Sequence, residues 1–111
     1  MAIKVYGSNT CPGTLAFLNL LTTNHVMPTF INVTGSIALL KEFITFRDTS
    51  PLYDGTRGTG AIGFPLVELE DGTRTRDIPA VLKSLGIEAE WYFKYVRPQR
   101  PARQKKEMRL L

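Results

Sequence analysis

One cysteine, Cys11, lies in the stretch Ser8-Asn9-Thr10-Cys11-Pro12-Gly13-Thr14. Before it, Ile3 and Val5 alternate with Lys4 and Tyr6, as in a short strand. From it, Cys11 to Thr23 is apolar around most of its circumference, which predicts a well-buried helix. Cys11 therefore falls where a strand turns into a helix. Pro12 suits a first helical turn, where its missing N–H costs nothing. The chemistry open to such a cysteine is thiol–disulfide exchange, in which the thiolate is the nucleophile. A helix N-terminus presents unpaired N–H groups equivalent to roughly half a positive charge, so the position favours an anion. The amides of Gly13 and Thr14 are expected to donate to the sulfur, with the Thr14 hydroxyl as a further weak donor. A single cysteine closes no internal disulfide. Cys11 is left to exchange with an external thiol, or to hold a partner as a mixed disulfide. The bland alternative is a small, half-buried residue with no chemistry.

The elements that position Cys11 follow along the chain. Thr29 to Val33, rich in β-formers, reads as a second strand. Gly35 and Ser36 mark a turn and a helix N-cap, and Ile37, Leu40 and Ile44 recur at helical spacing up to Arg47. Asp48 to Gly63, with Pro51 and four glycines, reads as a loop. Pro65 to Glu70 is a third strand. Asp71-Gly72 is a hairpin turn that brings Thr73 to Thr75 back as an antiparallel strand. Asp77 caps a helix running to Leu85, with Pro79 in its first turn and Gly86 ending it. Glu88 to Val96 is a candidate fourth helix. The order β-α-β-α-β-β-α defines an α/β protein with a four-stranded mixed sheet flanked by helices. Its first two strands are parallel through a right-handed crossover.

The totals bound the function. The 111 residues, 43% hydrophobic and 22% charged, suit one globular domain. Residues 1–93 form it, and 94–111 form a basic tail with too little apolar content to fold alone. The tail holds seven basic residues against Glu107, or +6 of a total of +4, which leaves the rest mildly acidic at −2. No apolar run approaches the roughly 20 residues that span a bilayer, and the N-terminus enters strand-like sequence directly. No membrane role and a cytoplasmic location are expected.

This layout, with Cys11-Pro12-Gly13-Thr14 after the first strand and Gly63-Phe64-Pro65 before the third, resembles the glutaredoxin branch of the thioredoxin-like superfamily over residues 2–87. The resemblance implies a thioredoxin-like fold with a cis-proline at Pro65 facing Cys11 across a shallow cleft. It further implies a thiol–disulfide oxidoreductase in which Cys11 is the nucleophile, Pro12 the second motif residue, and Thr14 the residue in place of a resolving cysteine. The mechanism is then monothiol. Substrates would be protein or small-molecule thiols and disulfides, with glutathione as a possible co-substrate and no tightly bound cofactor. Tyr6, or Tyr53, and Phe64 would line an apolar groove, with Pro65 presenting the backbone to substrate. Arg76 and Asp77 stand in the region where the family holds the γ-glutamyl end of glutathione. Ser8 stands where many members carry a basic residue. The alternative is a thioredoxin-like binding module without turnover that holds a protein partner.

Other signals carry less. Gly58 to Gly63 satisfies G-x-G-x-x-G, but a dinucleotide site needs a strand before it and a helix after it. One cysteine per chain supplies two of the four thiolates of a [2Fe–2S] cluster in a dimer. His25 has no companion ligands, so no metal site is expected. The basic tail follows Trp91, Tyr92, Phe93 and Tyr95, a pattern also seen where bases stack; a solvated extension is the simpler reading, and nucleic acid is not an expected partner.

Overall fold

The computed structural model describes residues 2–87. The candidate fourth helix, the boundary at residue 93 and the basic tail lie outside the described residues. Within them the chain is mixed α/β. A four-stranded mixed sheet is flanked by helices, with the strands in the expected chain order. Strand β1 spans Lys4–Gly7, β2 Thr29–Asn32, β3 Leu66–Glu68 and β4 Arg74–Thr75. Helix α1 spans Pro12–Thr23, α2 Ile37–Thr49 and α3 Ile78–Ser84. Across the sheet the order is β2-β1-β3-β4. The β1–β2 pair is parallel, and β3 pairs antiparallel with both β1 and β4.

The two-residue period of β1 and β3 sorts side chains into two cores. Val5 lies opposite Val67, and both join Phe17, Leu20 and Leu21 of α1 and Ile78, Val81 and Leu82 of α3. Tyr6 lies opposite Leu66, and this pair faces Val33, Phe43 and Tyr53 on the other side. Helices α1 and α3 therefore cover one face of the sheet and α2 the other.

Local chemistry sets the element ends. Ser36 caps α2 by accepting from Leu39 N at 3.3 Å, and Asp77 caps α3 by accepting from Ala80 N at 3.2 Å. Helix α3 ends as Gly86 N donates to Lys83 O and Ile87 N to Leu82 O, with Gly86 at φ +72°. This double bond pattern needs a left-handed residue after the last helical turn. Helix α1 ends the same way, with His25 N to Thr22 O and Val26 N to Leu21 O. Here the left-handed residue is His25, at φ +65°. His25→Gly should therefore raise unfolding stability by about 0.5–1 kcal/mol. It releases roughly 1–2 kcal/mol of left-handed strain, offset by the extra unfolded-state freedom of glycine, about 0.5–1 kcal/mol. Urea denaturation of both proteins measures the difference; an unchanged or lower midpoint would refute the strain argument.

Three expectations change. Helix α1 is one-sided rather than buried around its circumference: Thr14, Phe17, Leu20 and Leu21 are buried while Leu15 is exposed. The face of α2 is rotated from the Ile37–Leu40–Ile44 line, because Phe43 is the residue that stacks between Tyr53 and Phe64, at 5.9 and 4.8 Å between ring centroids. Ile37 is left 68% exposed. The segment after Asp48 is more ordered than a loop: α2 runs to Thr49, and a 3-10 turn covers Pro51–Tyr53. The hairpin does form at Asp71-Gly72, as a three-residue connection. Gly72 N donates to Leu69 O, Leu69 N donates to Thr73 O, and Gly72 sits at φ +90°. The Thr73 amide donates to Asp71 Oδ1 at 2.9 Å and holds that carboxyl below its usual range.

Candidate functional site

Cys11 is the N-cap residue of α1, in extended conformation, and half-buried. Its carbonyl accepts from Leu15 N at 3.0 Å, and its amide donates to Ser8 O at 3.1 Å. These bonds turn the chain tightly out of β1. The thiol makes no capping bond to the amides of the first turn, which corrects the expectation for Gly13 and Thr14. Thr14 is also placed differently. It is fully buried, and its hydroxyl accepts from Ser8 N at 3.4 Å instead of donating to sulfur. The reason is steric: Thr14 packs on Gly7, where any Cβ would overlap Thr14 Oγ1 and Cγ2. Gly7 ends β1 on the face that α1 covers, so this contact sets how closely the Cys11 turn approaches the sheet.

Cys11 lies in the wall of a cleft of about 500 Å3. The lining residues are Ser8, Thr10, Cys11, Pro12, Thr34 and the run Gly60 to Phe64. The Phe64–Pro65 peptide bond is cis, as the resemblance implies, and Pro65 is buried at the entry to β3. Cys11, Pro12 and Phe64, 53 positions apart in sequence at the extremes, are thus brought together.

Tyr6, Arg76 and Asp77 are not in that lining. Tyr6 points to the α2 face of the sheet, where Arg74 lies 5.0 Å from its ring centroid and 4.5 Å from that of Phe46. Arg74 also bonds Glu68 at 3.0 Å and holds its carboxyl below the usual range. Arg76 spans back to the segment after α2, donating to Leu52 O at 3.2 Å and Thr56 Oγ1 at 2.7 Å, with its guanidinium 4.3 Å from the Tyr53 ring centroid. Asp77 holds the N-terminus of α3. These three side chains serve the fold as placed.

Two groups of residues build the cleft, and apart from Ser8 and Tyr53 sequence reasoning passed over them. The first is a hydroxyl chain. Ser8 Oγ lies 2.8 Å from Thr10 Oγ1 and 2.7 Å from Thr34 Oγ1. Thr34 also donates to Asn32 Oδ1 at 3.3 Å, and that oxygen accepts from Asn9 N at 3.1 Å. The chain ties the Cys11 turn to the end of β2. Scattered Ser, Thr and Asn carry no period that would flag it in sequence.

The second group holds the run 60–64 in place. Arg47 of α2 donates to Ala61 O at 2.8 Å. Arg57 donates to Arg47 O at 2.8 Å and to Ser50 O at 3.0 Å, and pairs with Asp54. Tyr53 is fully buried and donates its hydroxyl to Gly63 O at 3.0 Å. Burial pushes the Tyr53 phenol up to about 12, against the opposing pull of Arg76, Arg47 and Arg74. The folded state therefore favours the protonated phenol. Its contribution is fully present below the ordinary value near 10 and is lost as pH rises through about 10 to 12. Over that window about 2–3 kcal/mol of stability should disappear. Tyr53→Phe should flatten the fall, which denaturation between pH 9 and 12 measures. An equally steep fall in Tyr53→Phe would show that another group is responsible.

Among the described residues, no group of His, Cys, Asp and Glu is arranged to hold a metal ion, and no helix is long and apolar enough to cross a membrane. No family model matches the chain. An uncharacterized protein of Haemophilus influenzae is 30% identical to it over 74 residues, which span 67% of this chain and 86% of that protein. The chain belongs to one family with that protein.

Proposed function

We propose that this is a thioredoxin-like protein of the glutaredoxin branch, which exchanges thiols and disulfides through Cys11 alone. The observation that carries the reading is the cleft: a half-exposed cysteine at the first turn of α1 shares one concave wall with the run that leads into a cis proline. The sheet order β2-β1-β3-β4, with one parallel and two antiparallel pairs, supports it.

In the exchange, the Cys11 thiolate attacks one sulfur of a disulfide R–S–S–R. A bond forms to Cys11, the S–S bond breaks, and R–S⁻ leaves and takes a proton from water. An external thiolate R′–S⁻ then attacks the sulfur carried by Cys11 and departs as R–S–S–R′, which restores Cys11. The structure adds a reason for this route. The side chain three residues on, Thr14, is a buried hydroxyl already bonded to the backbone, so release depends on the second external thiol.

The test is turnover of a small mixed disulfide in the presence of an external thiol. The wild type should turn it over and Cys11→Ser should lose all protein-dependent rate, while a similar thermal midpoint shows the variant folded. A wild type that forms the mixed disulfide but does not turn over would favour the binding module, in which Cys11 only captures a partner. A wild type that forms none would refute exchange.

A further inference from the structure

We propose that the cleft takes disulfides of uncharged, apolar partners, namely a protein or peptide cysteine flanked by apolar side chains, in preference to glutathione disulfide, which carries two carboxylates on each half. The inference rests on the exchange reading and adds the substrate class.

The lining supplies the argument. Among the described residues it consists of three hydroxyl side chains, Ser8, Thr10 and Thr34, and of Ala61, Ile62, Phe64, Pro12 and glycines around Cys11. The hydroxyls bond one another and Asn32, so their polarity is spent within the wall. Two cations that hold the 60–64 run and its approach are turned onto backbone carbonyls: Arg47 donates to Ala61 O, and Arg57 to Arg47 O and Ser50 O. A carboxylate brought against such a wall gives up water and meets no cationic side chain in the lining, and charge burial without an ion partner is unfavourable. An apolar side chain meets the opposite balance. Ile62 is 56% exposed and Phe64 half-buried in the lining, and covering such apolar surface is favourable. The wall is held by the Arg47 and Tyr53 bonds to Ala61 O and Gly63 O, so it meets a partner already formed.

Two disulfides serve as probes for the full chain: glutathione disulfide, and the symmetric disulfide of an end-blocked Leu-Cys-Leu tripeptide. The rate of mixed-disulfide formation at Cys11 is read by mass spectrometry. Each rate is divided by that of the same disulfide with free 2-mercaptoethanol, which removes intrinsic reactivity. The apolar peptide should be favoured about ten-fold or more, the scale on which small apolar differences discriminate in a pocket. Ile62→Lys should narrow the ratio from both sides by slowing the peptide and speeding glutathione disulfide. The glutathione gain should shrink in high salt, since exposed charge attraction is screened. Equal normalised rates in the wild type, or a preference for glutathione disulfide, would overturn the substrate class while leaving exchange intact. If neither disulfide reacts but iodoacetamide still alkylates Cys11, the exchange reading falls, and the substrate class with it.

Discussion

Replacing Thr14 with cysteine should give a protein that closes an internal disulfide with Cys11 under mild oxidation. Residues three apart in a first helical turn are neighbours on one face, with Cβ atoms about 5–6 Å apart. Cα separations up to about 6.8 Å admit a disulfide. Cys11 sits at the N-cap in extended conformation, so its side chain is not bound to helical geometry and can swing toward position 14. Thr14 already occupies a fully buried slot against Gly7, and a cysteine fits there with the loss of the bond to Ser8 N. The larger effect should be on chemistry. A thiol at position 14 can attack the sulfur that Cys11 carries and release the partner without an external thiol, so the variant should complete reduction of disulfides that the parent holds as mixed disulfides. The readout is a mass two units lower on oxidation, together with single-turnover release of the partner thiol. Cys11→Ser in this background should abolish release. A folded Thr14→Cys protein that never loses the two hydrogen atoms to the oxidant would refute the placement of Cys11 and Thr14 on one face. Closure without partner release would move the assignment to the binding module.

Gly63→Ala should destabilise the protein by about 2–5 kcal/mol and slow exchange at Cys11. Two effects add. Gly63 has φ +97°, where an L side chain costs roughly 1–2 kcal/mol. A Cβ there would also overlap Cε1 of Tyr53, and forcing atoms into a packed core typically costs about 1–3 kcal/mol. Tyr53 has little room to yield, because its ring packs edge-on against Phe43 and Phe46 and its hydroxyl holds Gly63 O. Gly58→Ala is the control. Gly58 also has positive φ, +80°, but nothing lies within 4 Å of its would-be Cβ, so it should show only the backbone strain. Chemical denaturation of both variants separates the two contributions. Equal losses would mean that the Tyr53 ring does not brace the cleft wall.

The sequence by itself determined the element order and the local stops, because those rest on short-range chemistry. Strand alternation placed Ile3 and Val5 inward, and both are buried. The Ser36 and Asp77 caps, the Gly86 stop and the Asp71-Gly72 turn need only neighbours within a few residues. The same local reading put Cys11 at the start of α1. Tertiary structure decided which faces meet. Periodicity gave α2 an apolar stripe but not its rotation, which Phe43 takes from Tyr53 and Phe64, residues 10 and 21 positions further on. The segment 48–63 reads as a loop in sequence because it carries Pro51 and four glycines. Its order comes from Arg47, Arg57 and Arg76 reaching backbone carbonyls across the fold, and a long charged side chain gives no local sign of its acceptor. Tyr6 and Arg76 lie outside the cleft because strand parity and a distant carbonyl claim them, and Asp77 because it caps α3, a role legible in the sequence itself. Thr34 entered the cleft because the parallel β1–β2 pairing sets the end of β2 beside the Cys11 turn, a proximity that exists only once the sheet has formed.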